Sequence, residues 1–352
     1  MSGLSAYGGI AAKIRAKQRK MFHREDYERL ISCKSVQEIL RILEESESYH
    51  KLFAGMDLNT LHRGTIELIL KKNLYEDYIS LYKFSNEEQK KFLKICFRKL
   101  ELSFLKACLR NLFNKEKAEL QVAEEISRIF SKYSKLDVEQ IAGATSEDAF
   151  VEALKGSEYY SSMKAVLQRG GNTMFDYEVS LDLSYFIRLW KIIETEFSGL
   201  DLEILIRSDG YRVDLLNLQW IYRCKKYYKV SAADIFALLI PINYKLRRDE
   251  VLGLVEANGI KEYDRLLKKT AYGKLYPDIS GGNLEEIYGY LLDRINDADS
   301  RKYPYSIAIL NTYLYKKEHE IKKITTILEC IRYGIDYEDI LDYAGLKGGT
   351  VT

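Results

Sequence analysis

The 352-residue sequence is poor in residues that interrupt helices and in residues that do chemistry. It has only three prolines, Pro241, Pro277 and Pro304, so long stretches are free of the strongest helix breaker. Its four histidines and five cysteines are scattered and form no CxxC motif, a pattern typical of reduced thiols in a helical protein. The longest apolar run, eight residues from Ile235, is far shorter than the ~20 that cross a bilayer.

The sequence also lacks the patterns that mark catalytic or phosphate-binding sites. The glycine pairs of RGGN, from Arg169, and SGGN, from Ser280, do not continue into GxGxxG or GxxxxGK[ST], and we interpret both as turns. His319 has no second histidine four residues on, so KKEHEIKK is not a zinc-protease helix. We therefore predict no enzymatic activity, no cofactor and no metal. An enzyme with a diffuse helical active site remains only as an alternative.

Charge of either sign is not in excess. The 54 lysines and arginines nearly balance the 52 acidic residues, for a net charge of +2. Nucleic-acid-binding proteins usually carry a basic excess that neutralises phosphates, so nucleic acid is not predicted as a partner. With no enzymatic site predicted, no small-molecule substrate is predicted either. The start of the chain has no basic and apolar leader, which predicts a cytoplasmic protein that meets a membrane only through partners.

Helix-forming residues are abundant and have helical spacing. Leu, Ile, Lys, Glu, Arg and Ala fill the stretches between the prolines, and alternating strand patterns are hard to find. These features predict an all-α fold. The 28 tyrosines suit packing between helices and at interfaces, because tyrosine can bury its ring and keep its hydroxyl at a polar edge.

One segment of the sequence occurs nearly three times. The stretches from Leu30 and from Ile141 resemble each other at a spacing of 111 residues, and a weaker third copy follows 112 residues later. The matched positions are Ser35 with Ser146, Leu43 with Leu154 and Leu266, and Tyr49 with Tyr160 and Tyr272. Asp26 and Ser35 are predicted to be helix N-caps, with Asp137 and Ser146 as their counterparts.

A second set of segments repeats downstream of the first. These segments are amphipathic helices, and they align on Leu105, Leu218 and Ile324. The period of ~111 residues exceeds the ~20–50 of solenoid repeats, so it predicts three small domains. We place them at residues 1–115, 116–226 and 227–352. Three similar domains in head-to-tail contact can close into a ring.

The first predicted helix is rich in positive charge. Its basic residues include Lys13, Arg15, Lys17 and Lys20, with no acidic residue before Glu25. This face is interpreted either as a solvated surface or as a contact with an acidic partner, and both interpretations stay open.

Three stretches carry motifs of one known family. Near the C-terminus the matching residues are Pro304, Lys317, Glu318, Glu320, Ile321, Gly334 and Ile335. In the middle they are Asp214, Asn217, Leu218, Arg223, Lys225, Pro241 and Tyr244. Near the N-terminus they are Tyr7, Ala12, Lys13, Ile14 and Arg15. By their order and spacing, the sequence resembles the C subunit of archaeal and bacterial V-type (A-type) ATPases, which is related to the d subunit of the eukaryotic vacuolar enzyme.

This resemblance implies a fold and a function. The fold would be three similar helical domains in a funnel around a pseudo-threefold axis. One face would sit on the membrane proteolipid (c or K) ring, and a socket would receive the central shaft, made by the D and F subunits. The chain would be a non-catalytic rotor subunit of a machine that transports H⁺ or Na⁺. Its basic residues Lys13, Arg15, Lys17, Lys20 and Arg169 would meet acidic groups of the shaft or ring. The alternative function is a free-standing α-helical scaffold or adaptor.

Overall fold

A computed structural model describes residues 3–115, 120, 124, 127–128, 131–171, 173–228 and 230–346. These residues form 18 α-helices and no strand, so the predicted all-α class is confirmed. Residues 116–119, which follow the predicted boundary at position 115, lie outside this description, as does the last residue of RGGN.

The helices follow one order three times, with three short helices and then two long ones. After α1 (Gly3–Gln18), the first copy comprises α2 (Arg24–Ile31), α3 (Val36–Glu45), α4 (His50–Phe53), α5 (Arg63–Phe84) and α6 (Glu87–Asn114). The second copy comprises α7 (Val138–Ala142), α8 (Glu147–Ala153), α9 (Tyr160–Gln168), α10 (Met174–Glu196) and α11 (Gly199–Arg223). After α12 (Ala232–Leu238), the third comprises α13 (Arg248–Glu256), α14 (Ile260–Leu267), α15 (Ala271–Leu275), α16 (Leu284–Lys302) and α17 (Ile307–Arg332). The last described helix is α18 (Tyr337–Tyr343).

Side-chain caps start several of the short helices where the sequence predicted them. Ser35, Asp137 and Ser146 each accept a hydrogen bond from the backbone N–H three residues on, at 3.2, 3.0 and 3.2 Å. Each bond satisfies one of the N–H groups that a first helical turn leaves without a partner. These three predictions are confirmed.

The prediction that Asp26 is an N-cap is wrong. Helix α2 begins at Arg24, after an extended residue at His23, so Asp26 lies inside the first turn. Its carboxylate instead accepts a hydrogen bond from the His23 N–H at 2.8 Å. Asp26 still stabilises the start of the helix. Its carboxylate bonds to the backbone of the preceding cap residue, and its negative charge interacts favourably with the positive end of the helix dipole.

Both glycine pairs lie in turns, as predicted. Gly170 has a φ of +75°, which a glycine adopts without steric cost. Gly281 is needed for a different reason, because a Cβ atom there would lie 1.9 Å from the ring of Tyr222. The SGGN turn therefore brings the backbone directly against an aromatic side chain of α11.

Pairs of long helices join each copy to the preceding one, and the first copy is joined to the third. Helix α5 packs on α17 (the first seam), α10 on α6 (the second seam) and α16 on α11 (the third seam). One polar contact from each seam shows the pairing. The Tyr78 hydroxyl donates to Glu318 at 2.6 Å, and the Lys106–Asp182 and Arg207–Asp299 ion pairs each measure 2.7 Å. The first copy is thereby joined to the third, 240 residues away at Tyr78 and Glu318.

Candidate functional site

Helices α6, α11 and α17 converge on a single cavity of about 50 Å³. The alignment on Leu105, Leu218 and Ile324 relates residues of the three helices at spacings of 113 and 106. By these spacings the cavity lining falls into three layers of equivalent residues. The layers are Phe92, Leu205 and Asn311, then Cys96, Asp209 and Tyr315, then Lys99, Arg212 and Glu318.

The last of these layers is charged and partly exposed, and we call it the axial mouth: Lys99, Arg212 and Glu318. Glu318 pairs with the Lys99 ammonium, whose side chain is 43% exposed, and Arg212 pairs with Asp209 at 2.9 Å. Burial acts to raise the pKa of Glu318, but Lys99 and the Tyr78 hydroxyl outweigh it and hold that pKa below its usual value. The mouth therefore presents fixed charges of both signs.

The N-terminal ends of these helices are covered by α1, whereas the mouth lies near their middle. The Gln89 side chain donates to the Ala6 carbonyl at 2.9 Å, and the Tyr7 hydroxyl donates to Asp201. The second carboxylate oxygen of Asp201 accepts from the N–H of Ile307 at 2.9 Å. Helix α1 thus contacts the start of α6 and α11, and α11 contacts the start of α17. The apolar side chains exposed around these ends are Leu4, Phe84, Leu200 and Tyr305.

Two of the predicted partner-binding residues hold α1 in place. The Lys13 ammonium donates to the Ser80 carbonyl at 3.1 Å and lies 4.8 Å from the centre of the Phe84 ring. Lys17 pairs with Asp77. Both contacts are with α5, so these charges are engaged within the chain.

The other three predicted residues lie farther out. The Arg15 guanidinium is 5.4 Å from the centre of the Tyr305 ring. Lys20 pairs with Glu47 at 2.8 Å, and both side chains are exposed. Arg169 is exposed after the end of α9, where it donates to the Ala165 carbonyl at 3.2 Å rather than to a residue of α1. The structure therefore does not bring the five predicted residues together in one group.

Sequence reasoning missed three tyrosine–carboxylate contacts, which we call the joints. In the first joint the Tyr49 hydroxyl donates to Glu320, in the second Tyr159 donates to Glu101, and in the third Tyr272 donates to Asp214, at 2.6, 2.9 and 2.9 Å. Each joint links the short helices of one copy to the second long helix of the preceding copy, and for the first copy this helix belongs to the third copy.

A signal for the joints was present in the sequence. Each joint carboxylate lies four residues before an alignment anchor, so Glu101, Asp214 and Glu320 repeat at the same 113 and 106 spacings. The tyrosines were aligned one residue off in the second copy. Tyr159 is the buried, bonded residue, whereas Tyr160 is half-exposed and donates to Glu152 at 3.1 Å.

The carboxylate of the first joint is neutralised by a buried cation. Glu320 accepts from the Lys317 ammonium at 2.7 Å and from the backbone N–H of Phe22 at 2.7 Å, besides Tyr49. Lys317 and Glu320 are only 4% and 2% exposed. Burial and then the Glu320 charge raise the pKa of Tyr49, so its hydroxyl stays a donor.

The other two carboxylates have uncharged partners. Asp214 accepts from three consecutive backbone N–H groups, those of Tyr244, Lys245 and Leu246, at 3.0, 2.6 and 3.0 Å. Glu101 accepts from the hydroxyls of Ser134 and Tyr159. Burial raises the pKa of both carboxyl groups, and the hydrogen bonds act against that rise.

Two further kinds of site are absent from the described residues. Among them, no three His, Cys, Asp or Glu side chains are arranged to hold a metal ion. Within the same residues no helix is both long and apolar enough to span a bilayer. The polar groups of the mouth and joints are instead paired with one another, within a helix or between copies. Fold and site together define an all-α protein of repeated helical units held together by buried polar contacts.

Residues 10–343 match the family of ATP synthase (C/AC39) subunits, and the chain belongs to this family. The resemblance found in the sequence is confirmed. Members of the family are structural, non-catalytic subunits of rotary ATPases, which agrees with the prediction that the chain is not an enzyme.

Curated relatives are similar over nearly their whole length. The C subunit of the A-type ATP synthase from Methanosarcina mazei is 25% identical over 97% of this chain and 93% of its own. That of Methanocaldococcus jannaschii is 24% identical over 93% of this chain and 83% of its own. That of Pyrococcus abyssi is 22% identical, with coverages of 95% and 89%.

Proposed function

We propose that the chain is the central-stalk rotor subunit of a V/A-type ATPase, where it couples the shaft of the D and F subunits to the proteolipid ring during ion transport. It would lie in the cytoplasm, peripheral to the membrane, and would touch the membrane only through its partners. The observation that carries this proposal is that the three convergent helices present two unlike regions, the charged axial mouth near their middle and the α1-covered N-terminal ends with exposed apolar side chains.

The connections between the copies suit a part that transmits torque. We propose that the copies are three similar domains, residues 1–115, 116–226 and 227–352, around a pseudo-threefold axis. Each seam and each joint ties one copy to another, and the first copy is tied to the third. Relative rotation of two copies would have to break buried contacts in a close-packed interior, so the body resists twisting.

The two regions suit different partners. The axial mouth carries partly exposed charges, so we propose that it receives the end of the shaft, with Lys99 and its neighbours steering charged groups. Helix α1 covers the N-terminal ends of the three helices, where exposed Leu4 and Phe84 suit a protein contact with the ring. In this proposal Arg15, Lys20 and Arg169 meet acidic groups of these partners. Lys13 and Lys17 act indirectly, by holding α1.

The test is a pull-down of the tagged chain from its native membranes in mild detergent, with partners identified by mass spectrometry. We expect both proteolipid and the two shaft proteins. We expect Lys99→Glu, at the mouth, to lose the shaft proteins and keep proteolipid, and Leu4→Asp, on α1, to do the reverse.

The control is Lys155→Glu, which changes an exposed lysine away from both regions and should recover both partners. Recovery of the wild-type chain with soluble partners only would overturn the coupling proposal and favour the scaffold. Loss of the same partners in both variants would overturn the assignment of the two regions.

A further inference from the structure

At one repeat-related position the three seams differ in charge. In the first seam Asp77 accepts a hydrogen bond from the Tyr313 hydroxyl. In the third seam Asp299 forms two hydrogen bonds with the Arg207 guanidinium, at 2.7 and 3.0 Å. The second seam has Arg188 at this position, 111 residues after Asp77 and 111 before Asp299. An arginine therefore replaces the acid that closes the other two seams.

The residue opposite Arg188 is also basic. The spacing of 113 that relates α6 to α11 places Lys94 in the position of Arg207. Lys94 is exposed, and it forms no ion pair with any residue that the structure describes. Arg188 pairs instead with Glu158, which also accepts from Arg98 at 2.8 Å. One carboxylate thus pairs with two guanidinium groups. The charge of Lys94 acts on Glu87, but Glu87 is ion-paired with Lys90 instead.

These side chains line an open groove of about 440 Å³ along the second seam. Its cationic residues are Lys94, Arg98, Lys135 and Arg188. Its carboxylates are Glu158, shared by the two arginines, and Glu101, which is occupied by the second joint. The groove therefore carries two more basic than acidic groups, in a chain whose total charge is only +2.

We propose that this groove binds an acidic segment of a partner protein. Glu158 fixes two guanidinium groups side by side, and arginine can bind a carboxylate through two parallel hydrogen bonds. Lys94 lies on α6, whereas Lys135 lies beyond the helices, before α7, so the charges are spread over two walls of the groove. Such a distribution suits several carboxylates along a segment better than one compact anion.

The placement gives the partner a single position. Three similar copies offer three similar surfaces, but only the second seam replaces the aspartate with an arginine. An acidic segment that binds here is held at one angle about the body and excluded from the two seams where Asp77 and Asp299 lie. This proposal does not depend on the coupling proposal, because it concerns the groove along the second seam and neither the axial mouth nor the region covered by α1.

The test measures binding of a fluorescent decaglutamate peptide to the purified full chain by anisotropy. Arg188→Asp introduces the residue of the other two seams opposite Lys94. We expect an unchanged thermal midpoint and a dissociation constant raised about tenfold, since charged contacts at an interface affect both encounter and specificity. The matched control is Arg223→Asp, because Arg223 is 53% exposed against 51% for Arg188 and is also paired with a glutamate.

The outcomes separate the possible ligands. Equal weakening in both variants would show a response to net charge alone and overturn the proposal. So would tighter, Arg188-dependent binding to phosphatidylserine vesicles, or displacement of the peptide by phosphate at constant ionic strength. If Arg188→Asp fails to fold, Lys135→Glu is measured instead, since the Lys135 side chain is exposed and lies outside the helices. Weakened binding there supports the proposal, and unchanged binding overturns it.

Discussion

The first and third joints place a tyrosine and a carboxylate at related positions, but they neutralise the carboxylate in different ways. Glu320 lies beside the buried ammonium of Lys317, whereas Asp214 lies at the convergence of three backbone N–H groups. Both carboxylates are almost fully buried. The position of an acid in the repeated helix is therefore constant, while the group that compensates its charge is not.

This difference predicts that the two joints respond differently to substitution of their charged side chains. The first joint contains two opposite charges, and loss of either leaves the other buried without a counter-charge. The third joint contains one charge and fixed dipoles, so a neutral side chain of the same shape keeps part of its hydrogen bonding. We expect the first joint to be the more sensitive to charge removal. Two substitutions test this directly, and two further experiments extend the comparison to a neighbouring histidine and to the second joint.

Glu320→Gln should have the largest effect. The Lys317 ammonium would remain buried without a carboxylate, so we expect the free energy of unfolding in urea to fall by about 3–5 kcal/mol. The double variant Glu320→Gln with Lys317→Met removes the stranded charge and should recover most of the loss. If the double variant were as unstable as the single one, charge compensation would not be what holds this joint.

Asp214→Asn should cost less, about 2–3 kcal/mol. The amide oxygen can still accept some of the donors, but the amide N–H₂ group would face the N–H groups of Tyr244, Lys245 and Leu246. The same urea titration measures the loss. A cost above that of Glu320→Gln would reverse the comparison between the two joints.

His319, which precedes Glu320 of the first joint in sequence, should make the free energy of unfolding depend on pH. Burial and then the charge of Lys323 lower the pKa of His319 to about 4, whereas an unfolded histidine titrates at about 6.5. The unfolded chain therefore takes up a proton first as the pH falls. Stability should be fully present above pH 6.5 and decline by about 3 kcal/mol as the pH falls to 4.

The check compares urea titrations at several pH values in that window. His319→Gln should flatten this part of the profile, and the matched change His23→Gln, at the start of α2, should leave it in place. A profile that stays the same in both variants would assign the pH dependence to other groups. The repeat-related residues are Leu100 and Val213, so only the first joint has such a neighbour.

Tyr159→Phe, in the second joint, should have the smallest effect, about 1 kcal/mol. The ring remains packed, and Glu101 keeps its bond from the Ser134 hydroxyl. Because burial already raises the pKa of Glu101, loss of a donor should raise it further, which NMR titration of the side chain can follow. An unchanged pKa would mean that water replaces the hydroxyl.

The sequence was sufficient for what depends on local contacts. The all-α class followed from helical spacing and scarce proline, and Ser35, Asp137 and Ser146 cap helices because each bonds to a backbone group three residues away. The copies were found because the same local pattern occurs more than once. Asp26 was misplaced because His23 is an uncommon cap residue, and the acid in the first turn resembled one.

What depends on contacts between copies was not predictable from these patterns. Glu320 lies in KKEHEIKK, a stretch that reads as a solvated helix face, yet it is buried because α2 and α3 pack over it. Lys17 was interpreted as either a solvated charge or a partner contact, yet it is paired with Asp77, 60 residues away. No local pattern specifies which copy covers a given side chain, and the partner-binding roles of Arg15, Lys20 and Arg169 stay predictions.

The first joint also sets an order in time. Tyr49 and Glu320 are 271 residues apart, so Glu320 is synthesised long after Tyr49. At ~5–20 residues per second, the short helices of the first copy would wait roughly 15–50 s for α17. The second and third copies meet their partners as they emerge. The earliest part of the chain to be synthesised is therefore the last to be completed, and until then its apolar faces are available to chaperones.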